Sequence, residues 1–161
     1  MPRQPNDYSA RLPRGWKDSL LPGDQQWIGQ YVCNGPSSEH SKVSERFKSL
    51  KQIWFYPPRH KDLNIRPDPN KFCLRRLCLW APRIIFDFDL KCPKCQKSLH
   101  SRGIYNKMRF VLDLKDYYYL GTEMLGCSCK ATYLLTDQRI IDCLLYYLQI
   151  QFPAVLLDLK T

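Results

Sequence analysis

Two close cysteine pairs constrain this chain more than any other feature. Cys92 and Cys95 bracket Pro93-Lys94, and Cys127 and Cys129 bracket Ser128, with residues 96–126 between the pairs. Two thiolates this close can bite one metal ion from a tight turn, and two such turns supply the four ligands of a tetrahedral zinc site. Binding energy at such a site becomes folding energy, so it can hold together a β-rich module with a small core. The expected cofactor is therefore Zn2+, with Cys92, Cys95, Cys127 and Cys129 as its ligands. CPKC is the stronger half, since a CxC bite is tighter and less common. His100 is a substitute ligand, but a surface or turn histidine is its plainer reading. A redox CxxC needs a strand-to-helix setting, whereas β pattern lies on both sides of CPKC.

The chain has eight cysteines. Its first residues, MPRQPNDYSARLPRGW, are polar and proline-rich with no apolar stretch of a secretory signal. The expected location is thus intracellular, where thiols stay reduced and clustered cysteines read as ligands. Cys73, Cys78 and Cys143 sit among leucines and aromatics (FCLRRLCLW, IIDCLLYY) and read as small core hydrophobes. No apolar run approaches the roughly 20 residues of a membrane span, so no membrane role is expected.

Along the chain, residues 1–50 read as a flexible basic, proline-containing tail, punctuated by Pro2, Pro5, Pro13, Pro22 and Pro36. A short helix over Lys42–Gln52 is the one element expected there. The aromatic-proline segments IWFYPP and LWAP suit extended chain lying across a core rather than regular elements. From residue 84 the signals turn to β. Phe86 to Leu90 alternate as a strand entering CPKC. Met108 to Leu114 alternate again, Lys115-Asp116 turns the chain, and Tyr117 to Leu125 returns to deliver Cys127 and Cys129. Ala131 to Leu135 reads as a further strand. Thr136 or Asp137 then caps one closing helix carrying Ile141, Leu144, Leu145, Leu148 and Phe152, ended by Pro153.

Charge is regional. Lys and Arg total 25 against 15 Asp and Glu, a net charge of +10. Between Lys42 and Arg83, eleven basic residues against three acidic ones (Glu45, Asp62, Asp68) account for +8 of it. With Trp54, Phe55, Tyr56, Phe72 and Trp80 interleaved, this stretch offers charge beside stackable rings, which suits DNA or RNA. Arg59, Lys61, Arg66, Lys71, Arg75 and Arg76 are the candidate contacts. The competing reading makes the rings core and the cations solubilising. Enzyme motifs are missing: the sequence has no phosphate loop, GxSxG or HExxH, and none of its three histidines sits beside a plausible catalytic nucleophile. No catalytic residue, enzymatic activity or small-molecule substrate is expected. Asp87 and Asp89 share a strand face, which reads as a solvated edge.

The order of these pieces resembles an uncharacterised zinc-binding-type family, the domain of unknown function numbered 6729. The resemblance runs over about residues 53–156. It is carried by Trp54, Pro57 and Pro58; by Leu79, Trp80, Pro82 and Arg83; by Cys92, Pro93 and Cys95; by Gly103-Ile104-Tyr105, Val111-Leu112-Asp113 and Tyr118; and by Cys129-Lys130, Asp137, Ile140 and Phe152-Pro153. The family's second pair reads CxxC before the lysine, whereas Cys127-Ser128-Cys129-Lys130 is one residue short. Either Cys127 reaches the metal with a tighter bite or the fourth ligand is lost. The resemblance implies a fragment or stand-alone copy of a larger eukaryotic multidomain protein of partly mobile-element-like character. It supplies no established activity.

The expected fold is α+β: a small, zinc-ribbon-like antiparallel β module over residues 51–157 with a C-terminal helix, behind a disordered N-terminal tail. The expected role is non-enzymatic, a structural zinc site presenting a basic surface to nucleic acid or to a nuclear protein. The alternative is a protein–protein interaction or vestigial module with no nucleic-acid role.

Overall fold

The tyrosine-rich segment forms the spine of the molecule. In the computed structural model, which describes residues 7–33, 49, 51–58 and 73–153, Tyr117–Gly126 is strand β5, ten residues long. Aromatic residues and leucine suit a strand covered on both faces. Strand β2 (Leu77–Trp80) runs parallel to it, while β3 (His100–Ile104), β4 (Arg109–Leu112) and β6 (Thr132–Leu134) run antiparallel. Strand β1 (Trp54–Phe55) adds outside β2. The registers put β4 and β3 end to end along one edge of β5, and β2 and β6 along the other.

The sheet separates two cores. Leu77 and Leu79 of β2 face a layer built from Leu12, Trp16, Leu20, Trp27 and Ile28. The alternate residues Cys78 and Trp80 face a second layer holding Cys92, Cys127, Tyr133, Leu135 and Leu148. Tyr119 and Tyr118 of β5 divide in the same way, as the two-residue period of a strand requires.

The α+β class holds, and most pairings are antiparallel, but four expectations are corrected. First, the disordered tail does not hold for residues 7–33. They form a 3-10 turn (Tyr8–Arg11) and helices α1 (Arg14–Ser19) and α2 (Pro22–Cys33). The anchor is Trp16, fully buried, whose Nε1 donates to the Tyr105 carbonyl at 3.0 Å. Its indole lies on Gly121, where a Cβ would come within 3.0 Å of the ring. These helices share a core with β2 and β5, so a boundary at residue 51 would divide one hydrophobic cluster. The helix expected over Lys42–Gln52 falls almost wholly outside the described residues.

Second, Leu77–Trp80 is a fully buried strand rather than an irregular crossing segment. Third, no strand forms at 86–90. Pro82, at the first helical position, opens helix α3 (Pro82–Phe86), which buries Ile84 and Ile85 and ends at Asp87 in the left-handed conformation, φ 50°. Fourth, the closing helix is two short ones, α4 (Gln138–Ile141) and α5 (Tyr146–Gln149), separated by Leu145 in extended conformation. That break turns Leu148 inward and sets Phe152 edge-on to Trp80, ring centroids 5.1 Å apart. Asp137 caps α4 as expected, accepting from the Arg139 amide. Among the described residues no helix is long and apolar enough to cross a membrane.

Candidate metal centre

Each cysteine pair sits at the tip of a hairpin. The first tip is closed by an isolated bridge between Lys91 and Ser98, with the Leu99 amide bonded to the Leu90 carbonyl at 2.8 Å. The second joins β5 to β6, paired up to Gly126 and Thr132. Pairing of β3 with β5, His100 opposite Gly126, lays the two hairpins side by side.

The turns have the same construction at different lengths. In the first, the Gln96 amide bonds back to the Cys92 carbonyl at 2.9 Å, and the Cys92 amide bonds to the Lys97 carbonyl at 2.8 Å. In the second, Lys130 bonds back to Cys127 at 3.0 Å, and Cys127 to Ala131 at 2.9 Å. The residue after each pair is left-handed, Gln96 at φ 59° and Lys130 at φ 65°. CSC is therefore the CPKC turn with one residue removed and its closing hydrogen bonds kept.

The consequence is convergence. The sulfurs of Cys92, Cys95, Cys127 and Cys129 all lie within 4.8 Å of one another. Cys92 Sγ is 3.8 Å from Cys129 Sγ, and Cys95 Sγ is 3.3 Å from Cys127 Sγ. A tetrahedron with metal–sulfur bonds of about 2.3 Å needs sulfurs about 3.8 Å apart. The donor set fits a four-coordinate metal ion of zinc's size. Cys92 and Cys127 are buried, and Cys95 and Cys129 half-buried.

Electrostatics favour thiolate at the first cysteine of each turn. Burial pushes the Cys92 thiol up, but the amides of Cys95 and Lys94 and the Tyr133 hydroxyl outweigh it and bring the thiol down to about 6. At Cys127 the Cys129 amide leads the lowering. Tyr133 reaches Cys92 Sγ at 3.6 Å, and the Arg139 guanidinium lies over the Tyr133 ring at 5.1 Å. Such outer partners orient ligands and tune their basicity. Exposed Lys94, Lys97 and Lys130 lie within or beside the turns and would offset part of the negative charge of a metal held by four thiolates.

The remaining candidates divide. His100 is exposed and is not part of the four-cysteine cluster. Cys78 is buried as expected, whereas Cys73 and Cys143 are exposed, which corrects their reading as core. Cys73 lies in a turn, and the break before α5 leaves Cys143 outside the core. Of the candidate nucleic-acid contacts, Arg59, Lys61, Arg66 and Lys71 lie outside the described residues. Arg75 and Arg76 are turned to different rings. The Arg75 guanidinium lies over Phe110 at 5.2 Å. Arg76 lies over Trp54 at 4.8 Å and Tyr118 at 5.4 Å, and it forms an ion pair with Asp113.

Sequence reasoning missed Asp24. Its buried carboxylate accepts from Trp27 Nε1 at 2.9 Å, the Tyr119 hydroxyl at 2.8 Å and the Arg75 amide at 2.9 Å. It ties α2 to β5 and to the lead into β2. Its only local signal is an acidic residue in the first turn of a helix, a common surface feature.

No curated protein and no solved structure matches the chain. The model of one family, described as a domain of unknown function (DUF6729), matches residues 16–160 and so takes in most of α1, all of α2 and both cysteine turns. A match over that share of the sequence, on a fold whose helices and cysteine hairpins share one sheet, makes the chain a member of the DUF6729 family.

Proposed function

We propose that the protein is a non-enzymatic structural module whose cysteine cluster holds one Zn2+. The observation that carries this reading is the convergence of four sulfurs within 4.8 Å from two separately closed turns. Four protein thiolates fill a tetrahedral shell and leave no position for a water or substrate, which is the mark of a structural site. The metal would clamp the 90–99 hairpin to the β5–β6 hairpin, and so the second core to the sheet. The test is chelation: removing the metal from purified protein is expected to abolish cooperative unfolding, and one equivalent of Zn2+ to restore it. Unchanged unfolding after complete removal would overturn the reading.

A second reading, contact with a nucleic-acid backbone, rests on the charge of +8 between Lys42 and Arg83. Each neutralised phosphate releases counterions, so binding to DNA or RNA should weaken steeply with salt. Absence of binding at low salt leaves a protein partner, with an intracellular and nuclear setting common to both.

A further inference from the structure

Strand β4 is an edge built to pair. Among the described residues nothing hydrogen-bonds its outer side, and its sequence, Arg109-Phe110-Val111-Leu112, lacks the proline, lysine or bulge that usually protects an edge. Phe110 is 51% exposed, Leu112 70%, Leu114 100% and Tyr117 41%. Phe110 stacks on Tyr117 at 4.7 Å and lies 5.4 Å from Tyr119 of the helical core, so Phe110, Leu112 and Tyr117 extend that face where no described helix covers it.

We infer that β4 pairs with β4 of a second copy of this chain, antiparallel and about a two-fold axis at Val111. Hydrogen-bond parity limits the register to those that set outward-facing residues opposite one another, and charge pairing selects Val111 among them. The Asp113 amide bonds inward to the Asp116 carbonyl at 2.7 Å, so Val111 and Arg109 also bond inward to β5. The N–H and C=O groups of Phe110 and Leu112 therefore point outward. A two-fold at Val111 sets Phe110 opposite Leu112 of the second copy, and the reverse, and each pair exchanges both of its backbone bonds. The apolar side chains of the two copies then meet on one face.

Charge supports this occupant. The same register places Arg109 opposite Asp113 of the second copy at both ends. Asp113 is held in place by its ion pair with Arg76 and by accepting from the Leu114 amide. Opposite charges facing each other across strands are favourable. Lys107 meets Lys115 beyond the paired segment, where both are exposed and screened.

The test is sedimentation of the metal-loaded full chain from about 1 to 100 μM, a range that spans weak to moderate self-association. A concentration-dependent dimer is expected. Leu112→Lys and, separately, Arg109→Asp should each weaken it at least about tenfold (about 1.4 kcal/mol) while metal content and circular dichroism stay unchanged. Leu145→Lys, on the exposed surface before α5, should leave the dimer intact. A monomer throughout overturns the proposal and leaves the edge to a strand of another protein. A dimer that survives both β4 variants, or that Leu145→Lys breaks, overturns it as well.

Discussion

Gln96 and Lys130 occupy equivalent positions, each left-handed and each one residue past the second cysteine of its turn. Their equivalence explains how a pair one residue short still joins the four-sulfur cluster. The left-handed residue closes the turn with its own amide and lets the carbonyl beyond it accept from the first cysteine's amide, so the missing residue shortens the loop while both closing bonds are kept. For a residue with a side chain this conformation costs about 1–2 kcal/mol.

Lys130→Gly should therefore hold or raise stability, by up to about 1 kcal/mol, whereas the β-branched Lys130→Val should lower it by about 1–2 kcal/mol. Urea unfolding of the metal-loaded variants checks the order. Equal stability of the two would mean that the turn does not require the left-handed residue.

Asp24 is buried with two side-chain donors and one backbone donor on it. Asp24→Ala strands an indole N–H, a phenol and an amide, and should destabilise by about 2–4 kcal/mol. Asp24→Asn keeps acceptor capacity and should cost less. The denaturation midpoints of the two variants decide it, and a loss below about 0.5 kcal/mol for the alanine variant would contradict the network.

The close approach of Trp16 to Gly121 gives a third expectation. A methyl at position 121 would stand 3.0 Å from Trp16 Cζ2 and 3.3 Å from Leu79 Cδ1, and neither ring nor strand can move freely. Gly121→Ala should cost about 1–3 kcal/mol and raise the fluorescence of a loosened Trp16. A neutral substitution would mean that α1 is not seated on the sheet.

Tyr119 should make stability fall at high pH. Burial first, and then its bond to Asp24, push its hydroxyl from the ordinary 10 up to about 12. The fold thus favours the protonated phenol, so its contribution is intact below pH 10 and lost as pH rises towards 12. Unfolding midpoints measured from pH 8 to 11.5 should decline above about 10, and less steeply in Tyr119→Phe. Identical profiles would contradict the burial of this ring.

The cysteine cluster was legible because ligand chemistry is local: spacing alone groups Cys92 with Cys95 and Cys127 with Cys129. The β4–β5 hairpin was legible for a related reason, a two-residue alternation on both sides of Lys115-Asp116. The helices α1 and α2 were not. Trp16 is the lone large apolar residue in Arg14–Ser19, so no helical stripe announces the element. What buries it is a fit against Gly121, far away in sequence. The setting of Arg76 was hidden for the converse reason. Its charge reads as surface, but its guanidinium is held by two rings and a carboxylate that only the folded sheet assembles.

X-ray absorption at the metal edge of protein purified without added metal reads the four-sulfur site most directly. Zinc is expected at one equivalent per chain, with four sulfurs at about 2.3 Å and no light-atom ligand. Cys92→Ser should lose that spectrum and the metal, while Cys143→Ser, whose sulfur is exposed and not one of the cluster's four, should keep both. A metal-free protein that still unfolds cooperatively, or a shell in which nitrogen or oxygen replaces Cys127 or Cys129, would contradict the account.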